Sequence, residues 1–190
     1  MLTELIKKCR SYRRFYQDVR LSEKDLLEMV ENARLGASAR NFQSLKYYLS
    51  TTNEINELIF SNLAWAGYLK YWKGPEEGER PSAYIIMLND TDITNNYFCD
   101  HGIASQNILL TAVEKGFGGC IIASLNREKL RDDLAIPIRY EIIHVIALGK
   151  PKEIVVIDTV GSLGDIRYWR DADQVHHVPK RNIEDIVLRF

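Results

Sequence analysis

The stretch from His101 to Lys115 constrains this chain more than any other. Its apolar positions, Ile103, Ala104, Ile108, Leu109, Ala112 and Val113, recur at helical spacing and wrap nearly all round. A helix of that kind has to be enclosed by other elements, so it is predicted to be the central core helix. Gly116-Phe117-Gly118-Gly119 stops it and leads directly into a short apolar run, Cys120 to Ala123, that reads as a strand.

The remaining elements follow from caps and periodicity. Leu2, Leu5 and Ile6 share one face of a first helix. Ser22, with Asp25 three positions on, is close to a capping box, and Leu26, Leu27, Met29, Val30 and Ala33 form the stripe of the helix it opens, which Gly36 ends. Lys46 to Ser50 reads as a strand and 53–62 as a helix. Ala83 to Leu88 is a fully buried strand by pattern, Asn126 caps a helix running to about Asp133, and Ile142 to Leu148 is the last core strand, closed by Gly149-Lys150-Pro151. Strands and helices alternate unevenly and no strand–GxGxxG–helix unit occurs. The predicted class is therefore α+β, a central and mainly antiparallel sheet flanked by helices. Residues 65–81 hold three glycines, two prolines and four aromatics, which predicts a long loop or lid. Beyond Pro151 the charge-rich segment 152–190 shows little periodicity. It is expected to be an arm that wraps a partner surface, such as a second copy of the chain.

At 190 residues the chain is one domain, 1–190, with an ordinary apolar fraction of 46%. Its 25 basic and 26 acidic residues leave a net charge of −1, which excludes the basic excess of a nucleic-acid binder. No run approaches the roughly 20 apolar residues of a membrane span, and no cleavable leader is legible. Cys9, Cys99 and Cys120 lie far apart, without metal or disulfide spacing, so a cytoplasmic protein is expected. His176-His177 has no matching ligand spacing, so no metal is predicted. His144 and His101 read as structural, Gln106 and Asn107 as ties between helix and loops, and Cys120 as a small buried hydrophobe.

Four segments carry chemistry. Arg10-Ser11-Tyr12-Arg13-Arg14-Phe15 offers three guanidiniums with a hydroxyl, a set that matches phosphate oxygens and equally suits a solvated surface patch. Ser38, Asn41 and Gln43 sit in a turn able to read the edge of a flat heterocycle, or only to cap itself. Gly118 and Gly119 let backbone approach a ligand. Lys180-Arg181 adds a basic pair after Pro179.

Taken together and in order, these segments resemble the nitroreductase family of flavin-dependent oxidoreductases. Arg10-Ser11-Tyr12-Arg13-Arg14-Phe15 is similar to its R-S-x-R-x-F opening, and Ser38 to Gln43 to its S-x-x-N-x-Q turn. Asp100 to Leu110 with Gly116-Phe117-Gly118 is similar to its D-x-G-x-A-x-Q-N-x-L-L helix and following turn, and Gly149-Lys150-Pro151 to its G-x-P. Cys9 stands where many members carry a first arginine, and Ser44-Leu45 where Pro-Trp is common.

The resemblance implies bound FMN, with NADH or NADPH as electron donor. It assigns ribityl and phosphate contacts to Arg10, Ser11 and Arg13, closed by Lys180 and Arg181. Ser38, Asn41 and Gln43 would approach the ring from the partner of a homodimer, and Gly118, Gly119 and the residues just beyond would line it. The reaction would be ping-pong, needing no catalytic side chain, with a nitroaromatic, quinone or similar acceptor. By residue type, Trp65 and Tyr68 either stack on that acceptor or form a hydrophobic cover for the dimer. Other flavin chemistry, such as reductive dehalogenation or flavin fragmentation, and a non-enzymatic flavin-binding module are the alternatives.

Overall fold

The computed structural model describes residues 1–161 and 164–189. In chain order it contains α1 (Leu2–Lys8), β1 (Phe15–Tyr16), α2 (Glu23–Arg34), β2 (Leu45–Ser50), α3 (Asn53–Ser61), β3 (Ala83–Asp90), α4 (Asp100–Glu114), β4 (Gly118–Ile122) and α5 (Arg127–Asp133). It closes with β5 (Tyr140–Pro151), β6 (Val155–Thr159), β7 (Trp169–Arg170) and β8 (His176–Lys180), and short 3-10 turns lie at Ala39–Asn41 and Ile183–Asp185.

β5 organises the main sheet. It pairs antiparallel with β3 on one side and with β4 and β1 on the other, and β2 extends the sheet beyond β3. Every residue of β3 is buried, because the sheet is covered on both faces. Ile85 and Met87 point into a cluster with Leu26 and Met29 of α2 and Ile108 and Ala112 of α4. Tyr84, Ile86 and Leu88 point the other way, into a cluster with Ile59 of α3, Leu130 of α5 and Trp65. The two-residue period of a strand assigns those sets to opposite faces. An unbroken apolar run is what such a sandwiched strand needs.

The predicted capping box is present. Ser22 N–H donates to Asp25 Oδ2 at 2.9 Å, and Asp25 N–H returns to Ser22 Oγ at 3.2 Å. His144 is a satisfied core histidine, with Nε2 2.9 Å from Ser105 Oγ. Burial and the neighbouring His101 push it down to about 4, so the ring is neutral. α4 departs from expectation on one side. Gly102, Ile103 and Gln106 are exposed there, so the apolar wrap is incomplete.

The tail also departs from expectation. β6 and β8 pair in parallel and β7 joins antiparallel, so much of the predicted arm folds as a three-stranded sheet against its own chain. His176 is wholly buried by it. Every residue over 181–189 is exposed. Ser162, Leu163 and Phe190 of the predicted arm lie outside the described residues. No helix among the described residues is long and apolar enough to cross a membrane.

Candidate functional site

The segment after α1 is laid along the start of β4. Ser11 bridges to Gly119, and Tyr12 N–H donates to Gly119 O at 3.0 Å. A Cβ on Gly118 would stand 2.5 Å from the Tyr12 ring, so that position has to be glycine for the segment to lie there. Glu153, with a side chain 0% exposed, fixes the segment from below. Its carboxylate accepts from the backbone N–H of Arg13, from that of Arg14 at 3.3 Å, and from Arg170 Nη2 at 2.9 Å.

With the backbone held, neighbouring guanidiniums go opposite ways. Arg14 grips Glu79 with two bonds of 2.5 and 2.7 Å, and Lys152 reaches the same carboxylate at 2.9 Å. These bonds, Arg14's first, hold Glu79 down to about 2. The third guanidinium of the sequence cluster is therefore spent on structure. Arg13 instead donates to Ser11 O at 3.2 Å, lies 3.4 Å from His176 Nε2 and sits 4.8 Å from the centre of the Tyr168 ring. Arg10 donates to Ile6 O at 2.9 Å, while its Nε is buried without a partner.

Arg10, Ser11, Arg13 and Lys180 line one cavity of about 260 Å³ together with Cys9, Tyr168, His176 and Val178. No carboxylate is among them. Arg10, Arg13 and Lys180 make no ion pair among the described residues, so the lining itself concentrates positive charge. Burial, followed by Arg13, Arg170 and His177, pushes His176 down to about 4 and keeps it neutral. Burial likewise raises the Cys9 thiol. Arg181, paired with Lys180 on sequence grounds, is exposed and outside this lining.

A second cavity of about 230 Å³ adjoins the first. It is lined by residues 64–67 and 120–124, chiefly small residues and backbone, and by Arg13 and Tyr168, the two residues common to both cavities. Trp65 belongs to this lining. Tyr68 does not, and packs against Tyr168 with ring centres 4.9 Å apart. Gly118 and Gly119 are buried and stand outside the lining, which starts one residue later at Cys120. Their lack of a side chain answers to packing, since a Cβ on Gly119 would come within 2.5 Å of Ala147 O.

Ser38 and Gln43 line a third cavity, of about 310 Å³, that shares no residue with the other two. Ser38 Oγ donates to Asp100 Oδ2 at 2.7 Å and accepts from Gln43 N–H at 3.0 Å, so the hydroxyl is occupied in shaping its own turn. Arg40, Asn41 and Gln43 have φ of 50, 55 and 52°, left-handed backbone that costs each about 1–2 kcal/mol. That strain presents Asn41 and Gln43 on the surface, both exposed. In one copy of the chain the predicted site residues thus fall into two separate groups.

Glu153, Tyr168, Arg170 and His176 are the residues that sequence reasoning missed as parts of the site. Glu153 acts on a loop about 140 residues away in the chain, and only its position soon after the G-x-P strand end marked it.

The chain matches the model of the nitroreductase family over residues 6–150 and belongs to that family. Comparison with curated proteins finds no match. Among solved structures, a nitroreductase family protein from Clostridium novyi NT superposes with a TM-score of 0.66 at 22% identity, covering 80% of this chain and 87% of that one. A putative NADH dehydrogenase/NAD(P)H nitroreductase from Parabacteroides distasonis gives 0.65 at 23%, covering 79% and 86%. The NADPH:FMN oxidoreductase from Vibrio harveyi gives 0.62 at 21%, covering 79% and 68%. At these identities the structures establish a shared fold.

Proposed function

We propose that the protein is an FMN-dependent NAD(P)H oxidoreductase acting on a nitroaromatic, quinone or similar acceptor. The observation that carries this reading is the pair of adjoining cavities. One is lined by three cations that make no ion pair among the described residues, and the other is lined by residues 64–67 and 120–124, many of them small. A phosphate at the end of a short polar chain suits the first, and a flat heterocycle suits the second.

Arg10, Ser11, Arg13 and Lys180 bind the phosphate end in this reading, and His176, neutral, fixes the Arg13 guanidinium without adding charge. Residues 64–67 and 120–124 orient the ring end, and Trp65 excludes water from one side. Flavin, when bound, supplies the hydride chemistry, so this reading asks no side chain of either cavity to act as nucleophile or acid–base pair. Donor and acceptor then use one open face in turn, giving ping-pong kinetics.

The reading includes a homodimer. Ser38 and Gln43 line a separate cavity of the same chain and Asn41 is exposed in the same turn, so a second copy is what brings them to the ring. Exposed Leu2 and Ile6 of α1, Leu35, and Ile103 of α4 support an apolar contact face. Sedimentation of the flavin-loaded protein should give a dimer, and a loaded monomer would remove that element.

The test of function is anaerobic addition of NADH, then NADPH, to the protein with FMN. Absorption near ~450 nm should bleach on addition of at least one donor. Flavin bound but bleached by neither donor would end the reductase reading.

A further inference from the structure

We infer that Tyr168 is a flavin-contacting residue whose ring stacks on the isoalloxazine once Arg13 has turned to the phosphate. The inference rests on the flavin reading above and goes beyond it to a residue that neither the motifs nor the family match reaches, since that match ends at residue 150.

Position is the first argument. Tyr168 and Arg13 are the two residues common to both cavities, so a single molecule with its phosphate in one and its ring in the other has to pass them. The second is how the ring is held. In the connection between β6 and β7, residues 164–167 are all exposed, and Tyr168, which follows them, is half-buried. There it meets three separate segments. Its ring centre lies 4.9 Å from that of Tyr68, 5.3 Å from that of His176, and 4.8 Å from the Arg13 guanidinium carbon. Its hydroxyl takes only a long bond of 3.4 Å from Tyr68 N–H. Among the described residues no short hydrogen bond fixes this side chain, and one side of the ring is covered by a cation.

That cation is the one a phosphate would recruit. A charge-assisted bond from guanidinium to phosphate is stronger than a cation–π contact, so anion binding draws Arg13 off the ring. The uncovered aromatic surface then faces the place where a flat heterocycle would lie, and offset stacking is the favoured way for two such rings to meet. Phosphate capture and ring stacking are thereby coupled through a single side chain.

Flavin emission gives a readout that a purely structural role would not move. An excited flavin takes one electron from a stacked phenol and returns it, without net change, and its emission is quenched. Phenylalanine cannot donate that electron. Because Trp65 lines the same cavity and would quench as well, the comparison is made in a Trp65→Phe background, where adding Tyr168→Phe should leave FMN affinity within about twofold while emission of the bound flavin rises several-fold. Tyr168→Leu, which removes the stack, should weaken FMN about tenfold. Unchanged emission on adding Tyr168→Phe to the Trp65→Phe protein overturns the inference even if Tyr168→Leu fails to fold. Wild-type protein that takes up no FMN takes down the flavin reading instead, and this inference with it.

Discussion

Arg13 and Arg14 are adjacent, carry the same side chain and are anchored by the same buried carboxylate, yet one is open and the other closed. Arg14 is locked to Glu79, which Lys152 also reaches, while Arg13 and its neighbours Arg10 and Lys180 face a cavity with no carboxylate. What separates structure from site here is the presence of a counter-charge, supplied to Arg14 by the loop at 65–81 and withheld from Arg13. A cluster of cations in sequence therefore carries no function until its partners are known.

The comparison breaks most completely if its shared anchor is removed. Glu153→Ala strands Arg170 and two backbone N–H groups in a buried place and should cost about 3–5 kcal/mol by denaturant unfolding. A loss below about 1 kcal/mol would mean that the two arginines are placed by something else.

The two nodes should also separate with acid. His176 and His144 are held near 4, below an ordinary 6.5, so the stability of keeping them neutral is complete above pH 6.5 and is lost as pH falls toward 4. Glu79 moves from 4.5 to about 2, so its contribution is complete above pH 4.5 and fades between there and pH 2. Each histidine accounts for at most about 3 kcal/mol over its window. His176→Asn should remove roughly half of the loss between pH 6.5 and 4 and leave the lower step in place.

Exchange at the arginines sharpens the contrast. Arg13→Ala should weaken FMN by about 1.5–3 kcal/mol with unfolding changed by less than about 0.5 kcal/mol. Arg14→Ala should do the reverse, costing about 1–3 kcal/mol of stability with FMN affinity nearly intact. Affinity lost equally in both would erase the distinction. Smallest are the arm residues. Lys180→Ala should cost about 0.5–1 kcal/mol in FMN binding and Arg181→Ala less than about 0.5, because only Lys180 lines the cavity.

Much of the fold was legible because its signals are local. The Ser22–Asp25 box, the Asn126 cap, and the buried runs that became β3 and β5 each declare themselves within a dozen residues. The β6–β8 sheet was not, since β6 and β8 pair in parallel across some twenty residues of chain and β8 contains His, Pro and Lys in place of an apolar alternation. The cationic half of the candidate site could be read from residue types. Its division of labour could not, because Glu79, Glu153 and Tyr168 reach it from other parts of the chain. Gly118 and Gly119 are legible as places of close approach, and the close neighbours the structure shows there are Tyr12 and β5.

The central claim is that the open arginine and its cavity exist to hold a phosphate attached to a flat ring. Parallel titrations of the protein with FMN and with riboflavin, followed by flavin absorption, test it most directly. FMN should bind at least about 100-fold more tightly, the scale of one or two charge-assisted bonds. Equal affinities, or no uptake of either, would contradict it.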